Sequence, residues 1–314
     1  ANAKPTPLLW LKLADGWRKR LRAQPVTLHM HAGGEPWFHL PWRSFAKTIL
    51  HYHIWINHSK NDPLHRALFY GIDEVWTSSE TSRAHLATLL PIDRAAIRVV
   101  PYGRDTQKLR DIAKQSSRSE VRARFGVPDT AVLAVCVSRI ERIKGVAELF
   151  DAFVFAARQS ANAYLILVGN VSPENPEAEK LGQELQKKHA QLPIDIRKRL
   201  IMPGFINPCE PILAAADFYV LPSYEECMSL AMLDAAILGL PILGTNAGGT
   251  PSVARPDESG MLVPPADSNA LAQALLVLFS DVELCRRLGQ GAQALGLQFD
   301  REQVFQKITE WYCA

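Results

Sequence analysis

From residue 131 onward, short apolar runs alternate with longer amphipathic stretches, and the runs end in Gly, Pro or Ser turns. A strand buried on both faces of a parallel sheet reads as a continuous apolar run, and its return helix carries a 3.6-residue period. The pattern therefore predicts a parallel α/β domain. Strands are expected over 131–137, 164–168, 200–202, 218–221, 241–244 and 261–263, with helices over 146–158, 177–191, 229–238 and from 268 onward. Ligands of open α/β sheets sit at the carboxyl ends of the strands. Residues 138–144, 169, 223–229 and 245–250 should then converge on one crevice. The earlier part is less regular, with strands expected over 26–31, 48–56, 75–78 and 97–100 and a polar linker over 106–119. A chain of 314 residues exceeds what one core usually serves. Two domains are expected, 1–110 and 111–300, with a helix over 301–314 packing back on the first.

Charge is unevenly spread. Residues 1–110 hold 16 Lys/Arg against 8 Asp/Glu, and six of the seven tryptophans, Trp10, Trp17, Trp37, Trp42, Trp55 and Trp76, fall in the same stretch. Two readings stand side by side: a basic, Trp-bearing surface that meets an anionic membrane, or core tryptophans at 55 and 76 beneath a solvated charged face. Nucleic acid is not expected as a partner, because the basic residues are dispersed and no helix-turn-helix, RNP or zinc-finger spacing occurs. No apolar run reaches the roughly 20 residues that span a bilayer. Five scattered cysteines without a C-x-x-C pair suggest reduced thiols. A cytoplasmic protein is expected, with the inner face of the membrane as the site of contact on the first of the two readings.

Three segments concentrate chemistry. Arg139 and Lys144 lie in the sequence from Ser138 to Gly145, where a strand end runs into a helix start. Two cations beside a helix N-terminus, with its free N–H groups and positive dipole end, suit a diphosphate without a metal. Taken alone, two basic residues in a loop are usually only solvated. Glu226 follows a strand, and Asp234 lies eight residues on, inside an apolar run where a carboxylate needs a partner. The loop from Gly244 to Pro251 carries Gly248 and Gly249, which can bring backbone N–H groups close to an anion or a hydroxyl.

Taken in order, these segments resemble the glycosyl transferases group 1, retaining enzymes with the GT-B fold, over about residues 73–279. The family's G-R-x-x-x-x-K-G is matched by Ser138-Arg139 and Lys144-Gly145, its L-V-G-x-G by Leu167-Val168-Gly169-Asn170, and its E-x7-E by Glu226 and Asp234. Its a-D-v-f-v-l-P-S corresponds to the run from Ala216 to Ser223, its G-G-x-x-E-v to that from Gly248 to Val253, and its G-x-L-v-p-p to that from Gly260 to Pro265. The run from Val99 to Asp105 is similar to the v-i-p-N-G-v-D that closes the family's first domain.

The resemblance implies two Rossmann-like parallel-sheet domains facing a cleft, the first reduced, and transfer of a hexose-type sugar from a nucleotide-diphosphate donor to a saccharide or lipid-linked acceptor in cell-envelope or surface polysaccharide synthesis. It implies that Arg139 and Lys144 stabilise the leaving diphosphate, so that no metal or other cofactor is required; no D-x-D loop is present. Glu226 would contact sugar hydroxyls. Backbone N–H groups of Met228, Ser229 and Leu230 would face sugar and phosphate, with Ser138 and Gly169 also at the donor. Asp234 would bind the ribose hydroxyls, and the loop with Gly204 and Phe205 would border the base.

Departures from the family pattern are Asp234 for Glu, Ser252 for Glu, Val171 for the second Gly of G-x-G, and Cys227-Met228-Ser229 where Gly-Phe-Gly is common. The bulk of the last is expected to narrow the sugar site. Strands and a glycine-rich loop that usually precede 26–31 are expected to be missing from this sequence, as in a fragment, a processed product or a shortened acceptor domain. A partner-dependent, non-catalytic subunit and a sugar-nucleotide epimerase or phosphorylase of the same fold are the alternative readings.

Eight of nine histidines lie before residue 86, including His29-x-His31 and His51-x-His53. Alternation puts each pair on one strand face, a spacing that suits zinc, but no carboxylate or cysteine pattern accompanies it and no metal is assigned. In the resembled family a strand-end His of the first domain reaches the donor sugar, which makes His53 or His51 the catalytic candidate. A satisfied core histidine is the competing reading.

Overall fold

The computed structural model describes residues 15–17, 26–32, 39–172 and 174–313. Two units form, one of Ala1–Pro101 with Lys307–Ala314 and the other of Tyr102–Gln306. In the first, β1 (Thr27–Ala32), β2 (Lys47–Tyr52), β3 (Glu74–Thr77) and β4 (Ile97–Val99) make a parallel sheet in that order. Helices α1 (Pro63–Phe69) and α2 (Glu80–Leu89) connect β2 to β3 and β3 to β4. Each begins at a side-chain cap: Asp62 accepts from the Leu64 and His65 amides, and Ser79 from that of Ser82. Leu50, Tyr52, Phe69, Val75, Leu86 and Ile97 form the core on one face. Ile49, Trp76 and Val100 form another cluster with Ile308 and Trp311. The strand expected over 48–56 stops at Tyr52, and Ile54 is exposed.

The second unit opens with α3 (Thr106–Gln115) and α4 (Arg118–Arg124). The polar stretch expected as a linker is thus helical. Asp105 caps α3 by accepting from the Lys108 amide, and Leu109 is buried, so the remaining polar residues are the solvated faces of a helix. There follow β5 (Val132–Val137), α5 (Val146–Gln159), β6 (Ala163–Val168), α6 (Pro176–Ala190), α7 (Ile194–Arg197), β7 (Leu200–Gly204), α8 (Glu210–Ala214) and β8 (Phe218–Leu221). The rest comprises α9 (Leu230–Ile237), β9 (Ile242–Thr245), β10 (Gly260–Val263), α10 (Ser268–Ser280) and α11 (Val282–Gly296). All six strands are parallel, in the order β10-β9-β8-β5-β6-β7. Their apolar residues are buried beneath helices on both faces, which is why they read as unbroken apolar runs. A last helix, α12 (Arg301–Cys313), begins in this unit and ends in the first.

Trp76 and Trp42 are buried, Trp55 stacks on His85 with ring centroids 4.1 Å apart, and Trp17 is exposed. Trp10 and Trp37 lie outside the described residues. No single helix among the described residues is long and apolar enough to cross a membrane.

One buried cation holds the start of the central strands. Arg122 of α4 is fully buried, donating through Nε to the Ala215 carbonyl, through Nη1 to those of Pro128, Asp129 and Ala131, and through Nη2 to Asp217 Oδ2 at 2.6 Å. The Asp217 carboxylate also accepts from the Leu133 amide at 2.6 Å and from Arg118 at 2.5 Å. Removing one member of such a network strands its partners away from water. Arg122→Ala is expected to cost about 3–5 kcal/mol in urea unfolding. Arg122→Lys should recover little of this, because a point ammonium cannot replace a fork that reaches four carbonyls and a carboxylate.

Candidate functional site

The six-stranded sheet reverses its direction of winding between β5 and β8: β6 and β7 follow β5 on one side, while β8, β9 and β10 run out on the other. A reversal of strand order opens a crevice at the carboxyl ends of the two strands that flank it. The segments leaving them are those that begin at Ser138 and at Pro222.

Past β5 the chain stays tied to β6, since the Ser138 amide donates to the Val168 carbonyl and that of Ile140 to Asn170, both at 3.0 Å. It then turns through a short 3₁₀ segment, Arg142–Lys144, and closes at Gly145 with φ 64°. A Cβ at Gly145 would lie 2.0 Å from the Pro222 carbonyl oxygen, so only glycine lets this turn rest on the end of β8. The Tyr224 amide donates to the Ile143 carbonyl at 2.8 Å and fastens the two loops.

Lys144 Nζ then lies 2.6 Å from Glu226 Oε2, with side chains only 15% and 12% exposed. Arg139 is exposed and pairs with Glu141, Nη1 to Oε1 at 2.7 Å. The glycine pair fixes Glu226 from the other side. The Gly249 amide donates to the Glu226 carbonyl at 2.6 Å, and a Cβ on Gly248, at φ 55°, would fall 1.9 Å from that oxygen. The close backbone approach expected of the Gly248–Gly249 loop is made here to the main chain of Glu226.

After Glu226 the chain enters α9. Ser229 is its N-cap, accepting from the Met232 amide, and Leu230 is exposed at the first helical position. The opening turn of a helix carries amide N–H groups without intrahelical partners. Cys227 and Met228 are buried, Met228 in the core of the unit. The bulk of the Met228 side chain is therefore spent on packing and not on the space at the strand ends.

Beside Arg139 lies a cavity of about 440 Å³, whose wall includes Ser138, Arg139, Gly169, Val171, Phe205 and Ile206. Gly204 adjoins it: its carbonyl accepts from the Gly169 amide at 3.0 Å, and Phe205 is exposed at the rim. The mostly apolar lining and this size suit a planar ring. A larger hollow of about 730 Å³ lies between Asp105–Gln115 and Asp300–Glu302, away from the strand ends, and has charged surface side chains as its walls.

Asp234 is buried inside α9, and both carboxylate oxygens accept from Arg104, from Nε at 2.5 Å and Nη2 at 2.7 Å. Burial pushes its carboxyl above the ordinary range against the pull of Arg104. Each carboxylate oxygen retains a further lone-pair direction for a hydroxyl. Burial pushes the nearby Tyr102 phenol up to about 12, with Cys227 and Glu226 adding to the effect. Arg104 is a residue that motif reading misses, although a signal was there. It stands where the family's v-i-p-N-G-v-D has an apolar residue, and Asp234 stands where the family has Glu. The two departures meet each other.

The remaining expected residue, His53, belongs to the first unit, where its Nε2 lies 2.8 Å from Nδ1 of His31. His29, His31 and His51 are, among the described residues, the group of three side chains placed to hold a metal ion. Burial, reinforced by neighbouring imidazoles, brings His29 down to about 4 and His51 to about 3.

Residues 131–281 match the family model of the Glycosyl transferases group 1. Among curated proteins, the chain is 30% identical over 227 residues to a D-inositol 3-phosphate glycosyltransferase of Corynebacterium jeikeium, a match covering 69% of this chain and 51% of that protein. It is 26% identical over 195 residues to an N-acetyl-alpha-D-glucosaminyl L-malate synthase of Bacillus anthracis, covering 62% and 48%. The chain spans about half the length of these curated relatives. A glycosyltransferase structure from Rickettsia africae superposes with TM-score 0.83 at 18% identity, covering 99% of this chain and 83% of that one. Anabaena HepE in complex with UDP gives 0.77 at 19%, covering 96% and 82%. At these identities the two structures speak to the fold alone.

The Arg104–Asp234 pair gives a prediction of its own. Arg104→Ala leaves a buried carboxylate without its counter-ion and is expected to cost about 3 kcal/mol in urea unfolding. Asp234→Asn in the same chain should return part of that loss, and a double-mutant cycle over the two substitutions measures the coupling.

Proposed function

Because the chain belongs to the glycosyl transferases group 1, with two parallel-sheet domains of the GT-B type, we propose that its second unit binds a nucleoside-diphosphate sugar and that the protein transfers the sugar to an acceptor hydroxyl. The observation that carries this reading is the Lys144–Glu226 pair at the winding reversal of the sheet, with Arg139 and the neighbouring cavity beside it. The base stacks in the cavity against Phe205. Ribose hydroxyls reach the lone pairs that Arg104 leaves open on Asp234, and the diphosphate lies toward Arg139, Lys144 and the first turn of α9.

In the reaction the bond between the anomeric carbon and the diphosphate oxygen breaks, the oxygen of an acceptor hydroxyl takes its place on that carbon, and the hydroxyl proton passes to the nucleoside diphosphate that leaves. Negative charge grows on the leaving phosphate. Lys144 exchanges Glu226 for phosphate oxygens, and Arg139 does the same with Glu141, so that two cations meet that charge, Lys144 from a largely buried position where it counts for more than in water and Arg139 from the exposed rim. Glu226, released from Lys144, accepts from hydroxyls of the donor sugar. We assign a hexose-type sugar, retention of anomeric configuration, independence of metal, and a saccharide or lipid-linked acceptor in cell-envelope polysaccharide synthesis. That HepE binds UDP makes UDP the first nucleotide to test.

Lys144→Ala is expected to lower kcat by about 10²- to 10³-fold, the cost of losing one preorganised charge-stabilising group, with circular dichroism unchanged. UDP should raise the melting temperature of the wild-type chain, as a ligand that binds only the folded state does. Full transfer activity in Lys144→Ala would overturn the assignment, and no thermal shift with UDP, GDP, ADP or CDP would remove donor binding itself.

A further inference from the structure

The first unit carries a group of closely packed imidazoles on and beside its first two strands. Strands β1 and β2 pair in parallel with His31 opposite His51, and His29 lies two residues earlier on the same face as His31. His53 follows the end of β2. The rings pack closely: centroids are 4.4 Å apart for His29 and His31, 5.4 Å for His29 and His51, and 5.4 Å for His31 and His51. One ligating nitrogen from each of these three lies within 4.8 Å of the other two. Around a tetrahedral zinc ion with bonds near 2.0–2.1 Å, ligand nitrogens are about 3.4 Å apart. Small side-chain rotations close that difference.

The hydrogen bonds already present aim the rings. His29 Nδ1 bonds to the Tyr312 hydroxyl, which leaves Nε2, and among the described residues that buried Nε2 has no partner. His31 Nδ1 bonds to His53, which likewise leaves its Nε2. His51 is 6% exposed, and among the described residues neither of its ring nitrogens has a partner. A buried polar atom left unpaired is costly, so three on one patch, His29 Nε2 and both ring nitrogens of His51, call for an occupant. Outer hydrogen bonds that orient the rings of ligating histidines are a regular part of metal sites.

We propose that His29, His31 and His51 bind one divalent transition-metal ion, zinc foremost, with Tyr312 and His53 holding two of the rings in place. An all-imidazole set without a carboxylate favours zinc, cobalt, nickel or copper over magnesium or calcium. Three protein ligands leave a fourth position for water. The site joins β1 and β2 to the last turns of α12 through Tyr312.

The test uses the whole chain without a polyhistidine tag, stripped with a chelator, dialysed and titrated with zinc chloride by calorimetry, with bound metal counted by elemental analysis. One equivalent of zinc is expected, with a raised melting temperature, and cobalt should give the intense visible absorption of a four-coordinate ion. The exposed His31 is the variant of choice because its loss spares the core. His31→Ala should weaken zinc at least about 100-fold, beyond the 10- to 100-fold typical of an outer partner, and Tyr312→Phe should fall within that smaller range. The melting temperature of His31→Ala in chelator should equal that of the wild type. No stoichiometric zinc on the folded wild-type chain, equal binding by His31→Ala, or the weak cobalt spectrum of a six-coordinate surface ion would each overturn the proposal. None of these results bears on donor binding by the second unit.

Discussion

The carboxylate of Asp217 sets the phase of the two strands between which the donor site is proposed. Its side chain accepts from the Leu133 amide, and its own amide donates to the Leu133 carbonyl at 2.8 Å, so the starts of β5 and β8 are locked together on both sides of one residue. Arg122, buried beneath, keeps the charge compensated. With the starts locked, Ala134 pairs with Phe218 and Val135 with Tyr219. The strands then deliver their following loops at matching heights. A slip of one residue would reverse the facing of every side chain on β8 and carry Glu226 away from Lys144. The clamp lies at the end of the sheet opposite the proposed site, and it decides whether Lys144 and Glu226 meet.

At the other end, charge is stored in pairs. Lys144 with Glu226, Arg139 with Glu141 and Arg104 with Asp234 each neutralise a group that burial would otherwise penalise. The pairs differ in how firmly they are held. Arg139 is exposed and exchanges partners at little cost, whereas Asp234 is gripped by two bonds from one planar fork. For the proposed diphosphate donor, these pairs are cations already positioned, with carboxylates free to turn to hydroxyls. Such an arrangement is organised before substrate arrives.

Much of the second unit is legible in its sequence because parallel strands buried on both faces cannot disguise themselves as anything but apolar runs. The ends of β5, β6 and β8 fall within a residue or two of where the runs stop, and this also locates Ser138, Gly169 and Glu226. Segment 106–115 is not legible in the same way, since a helix with little more than Thr106 and Leu109 inside reads as a polar loop. The Arg104–Asp234 pair spans 130 residues of chain, and local pattern says nothing about such a meeting. Met228 illustrates a third limit. Its identity suggests bulk at the sugar site, but the turn into α9 points that bulk at the core. For the histidines, alternation shows each pair on one face, while their convergence depends on the in-register pairing of β1 with β2.

Helix α12 has a bearing on the order in which the protein can be completed as it is made. Trp311 and Ile308, which cover Ile49, Trp76 and Val100, are translated more than 200 residues after that sheet has emerged. Domains generally fold as units, amino-terminal first, during synthesis. Here the first unit has to wait, one apolar patch uncovered, while the whole of the second is produced. For that interval Trp76 lacks the cover that Ile308 and Trp311 give it in the finished fold.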